Sequence, residues 1–351
     1  MKYLKYLLIF VPVSFILEYM HVGGTWIFIS ACLAIIPLAG FMGEATENLA
    51  VHAGPRIGGF LNATFGNATE LIIAIFAIKA GHDEIAKASI AGSIIGNILL
   101  VLGASMLFGG FKHKIQSFNK QASVNSATLL LFAAIGLMIP AIFLNGITSH
   151  DQRLAYEGLS IANAVIMIVI YLLGLVFSFF THKDILCCES DEVQEAKWGK
   201  VKSIVVLLIS TIVVAFESEI LVGSIETTAK SLGWNDMFIG IIILAIIGNA
   251  AEHSSAVLMA VKNKMDVSLE IAVGSSLQIA LFVAPVLVFT SLIFGNPMDL
   301  IFHPYELAGI VLAVLIANFI SQDGESHWLE GAQLIGVYII LAFAFFFAPI
   351  K

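Results

Sequence analysis

The sequence predicts an all-α polytopic membrane protein with about eleven transmembrane helices, and its composition carries this prediction. Of the 351 residues, 59% are hydrophobic, and the mean hydropathy is +0.97. Only 12% are charged, against about 25% in an ordinary soluble domain. Because so few polar residues cannot cover one or two soluble domains, the composition excludes a soluble enzyme, a disordered protein and a fibrous protein.

The net charge and the cysteines exclude further classes of protein. The formal net charge is −8 and the sequence has no basic run, so we expect no nucleic-acid partner. The three cysteines, Cys32, Cys187 and Cys188, suit neither a disulfide framework nor a thiolate metal site. We expect no cofactor, and membrane lipid as the surrounding partner.

Eleven hydrophobic runs are long enough to be transmembrane helices, which need about 20 apolar residues. The first run follows Lys2 and Lys5 but lacks a small-residue cleavage site, so we expect a retained helix and not a signal peptide. The approximate boundaries of the predicted spans are 3–20, 24–51, 57–80, 85–110, 122–145, 156–181, 201–231, 235–262, 267–294, 304–321 and 328–349.

The distribution of Lys and Arg predicts the orientation of these spans, since cytoplasmic loops carry the excess of both residues. With the N-terminus inside, twelve of the seventeen cations fall on the inner side and five on the outer side. The sequence therefore predicts an inner N-terminus and an outer C-terminus.

The sequence contains an internal repeat with an offset of 182 residues. Gly66-Asn67-Ala68-Thr69-Glu70 matches Gly248-Asn249-Ala250-Ala251-Glu252, and Gly92-Ser93 matches Gly274-Ser275 in the same register. Each repeat holds five spans, and an odd number forces the two copies into opposite orientations, as in many secondary transporters. The predicted parts are an extra helix (1–20), a first repeat (24–181), a connector (182–200) and a second repeat (201–351).

The connector is the only long polar stretch, and five of its residues are acidic. A solvated linker helix explains it, and so does a segment that senses cations.

Glu70 and Glu252 are the strongest candidates for a functional site. A carboxylate at the bilayer centre costs about 2.5–3.5 kcal/mol on insertion scales, so such residues persist where they face a cavity or bind a cation. Both residues lie in the middle of a predicted span, and inverted symmetry brings the two helices face to face. A hydrogen-bonded pair with a purely structural role is the alternative, although packing alone hardly explains its duplication.

The neighbouring residues add neutral oxygen atoms to this pair. Asn67 and Asn249 each precede the glutamate by three residues and share its helical face. Two carboxylates with amide and carbonyl oxygens resemble the ligands of Ca²⁺, which takes 6–8 oxygens at about 2.3–2.6 Å in flexible geometry. Mg²⁺ dehydrates reluctantly and fits a dry site less well, and a soft metal ion would need thiolates.

The following helix of each repeat offers further ligands. Ser93 and Asn97 lie one turn apart on one helix, and Ser275 and Gln278 occupy a similar face of the other. Gly92 and Gly96 also form a small-residue pair, so tight helix packing explains part of this segment equally well.

Other polar residues within the spans are candidates for proton transfer or gating. Glu44 and Glu47 fall near the inner end of their span and could simply reach the interface. Glu217 and Glu219 lie deep in the corresponding span of the second repeat, and one of them could line an access path. His253 follows Glu252 and could support the site, handle protons or form an interhelical hydrogen bond.

A paired carboxylate site predicts exchange between a divalent cation and protons. Two nearby carboxylates without a cation cannot both stay ionised cheaply, so proton binding competes with cation binding. The empty, doubly charged site should not pass through an occluded form, because buried unpaired charge costs several kcal/mol. The long spans 24–51 and 201–231 are candidate moving gates.

With these motifs the sequence resembles the cation/proton exchanger (Ca²⁺/H⁺ antiporter) family of the calcium/cation antiporter superfamily, over nearly its whole length. The resemblance implies that Glu70 and Glu252 bind transported Ca²⁺ and exchange it for protons, and that the two long spans slide to alternate access. It also implies that the site is supported by Asn67, Asn249, Ser93, Ser275 and Gln278. A short form of this kind looks bacterial and implies the cytoplasmic membrane.

Three other functions remain as alternatives. Sodium/calcium exchangers of the same superfamily carry Ser/Thr and Pro in the site motif where this sequence has Asn, which argues against sodium coupling. A cation channel also uses paired carboxylates. An intramembrane hydrolase is disfavoured because the sequence has neither His-Glu-x-x-His nor Gly-x-Ser-x-Gly. A homo-oligomer is left open.

Overall fold

The computed structural model describes residues 4–144, 152–182 and 196–348, and nearly all of them are helical. Most of the predicted acidic connector lies outside the described residues, and so do both interpretations of it.

The N-terminal helix and the first half of the chain supply the first eight α-helices. A 3-10 segment, Leu4–Ile9, leads into the N-terminal helix, one π-helical segment, Gly96–Val101, joins α5 to α6, and another, Phe177–Thr181, extends α8. The helices are α1 (Phe10–Tyr19), α2 (Gly24–Ala53), α3 (Pro55–Phe65), α4 (Ala68–Lys79), α5 (Asp83–Ile95), α6 (Leu102–Lys112), α7 (Lys120–Leu144) and α8 (Gln152–Val176).

The second half continues with eight further α-helices, with π-helical segments at Ile239–Leu244 and Ile279–Val283. The helices are α9 (Lys200–Leu232), α10 (Asp236–Phe238), α11 (Ala245–Gly248), α12 (Ala250–Val261), α13 (Met265–Gln278), α14 (Ala284–Phe294), α15 (Pro304–Ile320) and α16 (Trp328–Phe347). A two-residue strand in each half, β1 (Gln116–Ser117) and β2 (Glu325–Ser326), forms one antiparallel pair.

Each predicted span corresponds to a helix or a series of helical segments in the described residues. By length and hydropathy, eight of these units can cross a membrane, and the bent unit from Asp236 to Val261 makes nine. The two remaining units, the N-terminal helix and α15, are shorter than 18 residues. The structure therefore confirms the all-helical membrane fold, although the length criterion supports nine spans and not eleven.

The repeat seen in the sequence is also present in the backbone. α4 and α12 begin 182 residues apart and end 182 residues apart, and α6 and α14 show the same relation. Since Lys79 ends one helix and Val261 ends its equivalent, these boundaries do not depend on identical residues. The π-helical segments that start at Gly96 and Ile279 also lie at nearly equivalent positions.

The loops show that the two copies of the repeat are inverted. The loop after α6 pairs its strand with β2, and Gln116 donates from Nε2 to the Ala260 carbonyl. The equivalent loop after α14 lies at the other end of α5–α6, where Lys87 Nζ donates to the Ile301 carbonyl at 3.0 Å. Equivalent loops thus lie on opposite faces of the molecule, which agrees with the alternating topology predicted from the sequence.

The two halves pack closely where α5 crosses the π-helical segment Ile239–Leu244. A Cβ on Gly92 would overlap the carbonyl of Ile241, and a Cβ on Gly240 would overlap Ala88. The predicted small-residue packing is therefore present at Gly92. At Gly96, by contrast, a Cβ would meet open space, so this glycine is not needed for that contact.

We expect Gly92→Ala to destabilise the protein by about 1–3 kcal/mol, because its methyl group overlaps backbone that cannot move aside freely. The equivalent substitution in the other repeat, Gly274→Ala, meets no atom within 4 Å and should leave stability unchanged or slightly raised. Thermal unfolding of the purified variants in detergent measures the difference, and equal melting temperatures would contradict this packing.

Candidate ion-binding site

The transmembrane helices break at both copies of the repeated motif. α3 gives way to α4 at Gly66-Asn67, and α11 gives way to α12 at Asn249. The backbone angles are φ −102° and ψ 28° at Asn67, and φ −91° and ψ 6° at Asn249. The bend within the second-half unit is 61°. Broken helices of this kind bring backbone polar groups to the ion sites of transporters.

Glu70 and Glu252 each lie in the first turn after a break, where the helix dipole favours negative charge. Glu70 is 6% exposed. Glu252 is half-buried as a residue, yet its Oε2 atom is inaccessible to solvent. Glu70 lies against Gly248, four residues before Glu252, so the two glutamates come from facing helix breaks. Oε2 of each has no hydrogen-bond partner among the described residues, so two buried carboxylate oxygens are available to a ligand.

Glycines at the breaks make room for side chains from the opposite half. A Cβ on Gly248 would lie 3.1 Å from Cγ and 3.2 Å from Oε1 of Glu70. A Cβ on Gly66 would lie 3.2 Å from Oε1 of Gln278. The motif glycines therefore permit close approach of the two halves at the site.

Two equivalent hydrogen bonds join the halves around the carboxylates. Ser275 Oγ donates to Asn67 Oδ1 at 2.8 Å, and Asn249 Nδ2 donates to Ser93 Oγ at 3.0 Å. All four residues are buried. Because these pairs are related by the repeat, each half supplies one asparagine and one serine to its partner.

Other contacts of the site break the symmetry of the repeat. Asn97 Nδ2 donates to Ser275 Oγ at 2.9 Å and lies 3.4 Å from Asn249 Oδ1, whereas the residue equivalent to Asn97 is Ile279. Gln278 Oε1 accepts from Asn67 Nδ2 at 2.8 Å, and its equivalent is Gly96. Ser275 therefore forms hydrogen bonds to two polar side chains among the described residues, Asn67 and Asn97.

The arrangement suits a hard cation held by a few charges and several neutral oxygens. Among the described residues, no group of three or more His, Cys, Asp and Glu side chains could hold a metal ion. The two carboxylates are therefore the only anionic ligands that the site can assemble from those residues, and amide and hydroxyl oxygens surround them. Ca²⁺ accepts such mixed oxygen ligands.

The structure does not bring the other carboxylate candidates to this site. Glu44 is half-buried, and its Oε2 is sealed from solvent without a hydrogen-bond partner, whereas Glu47 is exposed. Glu217 has no exposed surface and accepts a hydrogen bond from the N-terminal helix. The side chain of Glu219 is 60% exposed and pairs with Lys79 at 3.8 Å. The gating and proton-transfer roles of these residues stay predictions.

His253 is half-buried beside Glu252, and its Nε2 has no hydrogen-bond partner among the described residues. The interhelical hydrogen bond considered from the sequence is therefore not formed through Nε2, while a proton-handling role stays a prediction.

A cavity of about 980 Å³ extends to the site from the face of the molecule that carries the predicted inner loops. It lies between α3, α7, α8 and α13, and Gln278 forms part of its wall, so the cavity comes within one side chain of Asn67. Asp266 and Glu270 also line it. Neither residue is among the candidates named from the sequence. Glu270 could have been found, because it is a carboxylate inside span 267–294 and lies one turn before Gly274.

Comparison with known proteins identifies the family. Residues 23–180 and 202–347 match the family described as "Sodium/calcium exchanger protein". The chain belongs to this family. Both matched segments coincide with the two halves of the fold, which agrees with the predicted membership in the calcium/cation antiporter superfamily. The protein is accordingly a membrane transporter and not an enzyme.

Several similar proteins match the chain over nearly its whole length. A Ca(2+)/H(+) antiporter of Aphanothece halophytica is 47% identical over 98% of this chain and 96% of the relative. The Ca(2+)/H(+) antiporter ChaA of Bacillus subtilis (strain 168) is 48% identical over 96% of both chains. The structure of native YfkE superposes with a TM-score of 0.86 at 43% identity, covering 98% of this chain and 99% of that one. The predicted resemblance to cation/proton exchangers is thereby confirmed.

We expect Ser275→Ala to destabilise the protein more than its repeat equivalent, Ser93→Ala. Ser275 forms hydrogen bonds to Asn67 and Asn97, whereas Ser93 accepts one hydrogen bond from Asn249. Leaving buried polar groups unpaired costs about 1–3 kcal/mol each. Melting temperatures of the two variants in detergent test this asymmetry, and an equal loss would show that the two halves of the network are equivalent.

Proposed function

We propose that the protein exports Ca²⁺ across the cell membrane in exchange for H⁺, and that Glu70 and Glu252 alternately bind Ca²⁺ or protons. The observation that carries this proposal is the pair of carboxylates at the two facing helix breaks, one from each half, each with a buried oxygen that has no partner among the described residues. The similar proteins named Ca(2+)/H(+) antiporters support the same pair of substrates.

The charge of the site explains the exchange. A Ca²⁺ ion neutralises both carboxylates, and so do two protons, whereas the empty site keeps two like charges in a region of low dielectric. Passage through an occluded state is therefore favourable with either substrate and unfavourable with neither. This restriction couples Ca²⁺ movement in one direction to proton movement in the other.

Neutral oxygens around the pair complete the proposed Ca²⁺ site. Asn67, Asn249, Ser93, Ser275 and Gln278 act as ligands or hold ligands in place, and Asn97 orients Ser275 and Asn249 through its amide. Gln278 Oε1, Ser275 Oγ and Asn67 Oδ1 each accept a hydrogen bond from a neighbour in this conformation. Each oxygen keeps a second lone pair that can face a cation.

Alternating access is proposed to come from α2 and α9, which we call the gate pair. The two helices pack along each other and are joined at both ends. Thr25 Oγ1 and Ser231 Oγ share a 2.6 Å hydrogen bond at one end. At the other, the Trp198 backbone, just before α9, bonds Asn48 at 3.0 Å and His52 at 2.7 Å. These ties favour movement of the gate pair as one body.

The present conformation is proposed to face inwards. The large cavity opens beside the predicted inner loops, and an inner N-terminus places that face in the cytoplasm. In this orientation Ca²⁺ enters from the cytoplasm through the cavity and leaves on the opposite side.

A sodium-coupled exchanger is the second candidate, because the matched family also carries the sodium/calcium exchanger name. The two motif asparagines favour proton coupling, because sodium/calcium exchangers carry Ser/Thr and Pro in the site motif where this sequence has Asn. A channel is a third candidate, and it predicts currents far above carrier rates.

We expect Glu70→Gln and Glu252→Gln each to abolish Ca²⁺ uptake driven by a pH gradient into proteoliposomes. A neutral amide cannot take part in charge exchange, although its shape matches a protonated carboxyl group. Glu226→Gln is the matched control, because that residue is exposed and paired with Lys230 outside the site. Uptake that survives either site substitution would overturn the proposed role of that carboxylate.

We expect protons on the entry side to raise the apparent KM for Ca²⁺ more than they lower the maximal rate, because both substrates compete for the same oxygens. Initial rates measured over a range of pH and Ca²⁺ concentration test this competition. A separate arm imposes a Na⁺ gradient at clamped pH, and Ca²⁺ flux that follows this gradient would favour the sodium-coupled candidate.

A further inference from the structure

Glu217 is a buried carboxylate outside the candidate ion-binding site. It lies in the middle of α9 and has no exposed surface. Glu219, two residues further along the same helix, has a side chain that is 60% exposed and pairs with Lys79. The same helix therefore carries one buried carboxylate, Glu217, and one exposed carboxylate, Glu219. Of these two, Glu219 alone pairs with a cation among the described residues.

The N-terminal helix supplies the hydrogen-bond partner of Glu217. Ser14 Oγ lies 2.7 Å from Glu217 Oε1 and is itself fully buried. Oε2 of Glu217 is sealed from solvent and has no hydrogen-bond partner, and Glu217 forms no ion pair within the part of the chain that the structure describes. One hydroxyl group is thus the only polar contact of this carboxyl group among those residues.

Apolar side chains lie next to this contact along both helices. Val214, one turn before Glu217, packs with Leu38, Met42 and Ala68, and residues of the N-terminal helix pack against the same cluster. Phe15 and Phe216, which neighbour Ser14 and Glu217 in the sequence, meet edge to face with ring centroids 6.4 Å apart. Because Glu217 has no exposed surface, bulk water does not reach its carboxyl group in this conformation.

The charged and titratable groups nearby do not replace water. Those on the N-terminal helix, α2 and α4, which pack against α9, are Lys5, Tyr6, Glu18, Tyr19, Cys32, Glu44, Glu47, His52, Glu70 and Lys79. Lys79 pairs with Glu219, Lys5 lies over the ring of Phe41, and His52 bonds the Trp198 backbone. None of them forms a hydrogen bond or an ion pair with Glu217 among the described contacts.

We propose that Glu217 is a second proton-binding site, distinct from the Glu70 and Glu252 pair and occupied by a proton in this conformation. An ionised carboxylate without a cation costs several kcal/mol in such surroundings, whereas the neutral acid needs no counter-charge. The neutral acid still accepts the Ser14 hydrogen bond. Loss of the proton would leave a buried charge that one hydroxyl donor cannot compensate, and this charge disfavours packing of the N-terminal helix over Glu217.

This inference is independent of the proposed Ca²⁺/H⁺ exchange, because it concerns the protonation of one residue at rest. Within the proposed function it would make attachment of the extra helix to the gate pair depend on pH. The N-terminal helix, which lies outside the two repeats, thereby receives a specific role.

Infrared spectroscopy of the full-length protein in detergent tests the proton directly. The difference spectrum between the wild type and Glu217→Gln should show loss of one carbonyl band of a protonated carboxyl group at neutral pH. The matched control, Glu219→Gln, should lose only the bands of an ionised carboxylate. The measurement is repeated with both proteins carrying Glu70→Gln and Glu252→Gln, so that the carboxyl groups of the ion-binding site contribute no band to the difference spectrum. If Glu217→Gln removes ionised-carboxylate bands instead, the proposal is wrong.

Ser14→Ala tests the partner. It should shift the Glu217 carbonyl band to higher frequency, because the hydrogen bond that weakens the C=O bond is lost. An unshifted band would contradict docking through Ser14.

Thermal unfolding provides a measurement that does not depend on the spectrum. The amide introduced by Glu217→Gln is neutral at every pH, whereas folded wild-type protein must keep a proton that the unfolded chain releases as pH rises. The melting temperature of Glu217→Gln should therefore rise relative to the wild type with increasing pH, and that of Glu219→Gln should not. Parallel pH profiles for Glu217→Gln and the wild type would overturn the proposal.

Discussion

The structure depends on the cost of holding two carboxylates in the dry centre of a membrane protein. Glu70 and Glu252 come from opposite halves, and the free energy of their burial is offset only if something positive or a proton binds between them. Glycines at the helix breaks, the crossing of α5 over the second half and the amide–hydroxyl contacts all bring the two carboxylates together. In the proposed function, this free-energy cost of burying two negative charges makes a cation and protons alternative ways to neutralise the site.

The inverted repeat relates the two halves by symmetry, but single residues make the contacts of the candidate site asymmetric. Two Asn–Ser hydrogen bonds obey the symmetry, whereas Asn97 and Gln278 have no equivalents with the same chemistry. The cavity likewise reaches the site on the Gln278 side. In the proposed exchange the two halves swap conformations, yet each half need not offer the ion the same ligands, since the ion would enter by different paths from the two faces.

Much of the fold could be predicted because membrane burial leaves strong signals in a sequence. Hydrophobic runs placed the helices to within a few residues, and both helix breaks coincide with the duplicated Gly-Asn-Ala motif. Glu270 was missed because a carboxylate near a span end looks like an interfacial residue, although it lines the cavity. Gly96 was expected to pack like Gly92, but only the three-dimensional crossing point decides which of two glycines touches a neighbour.

The sequence by itself determined the membrane class, the repeat and the family, and it singled out Glu70 and Glu252 as candidates, because each follows from residue type and spacing along one chain. Only the tertiary structure decided that, among the described residues, Ser275 bonds two polar side chains while Ser93 bonds one, and that Glu217 is buried against Ser14 while Glu219 is exposed. These differences depend on which helix lies opposite each side chain. Contacts between residues about 200 positions apart leave no local pattern in the sequence.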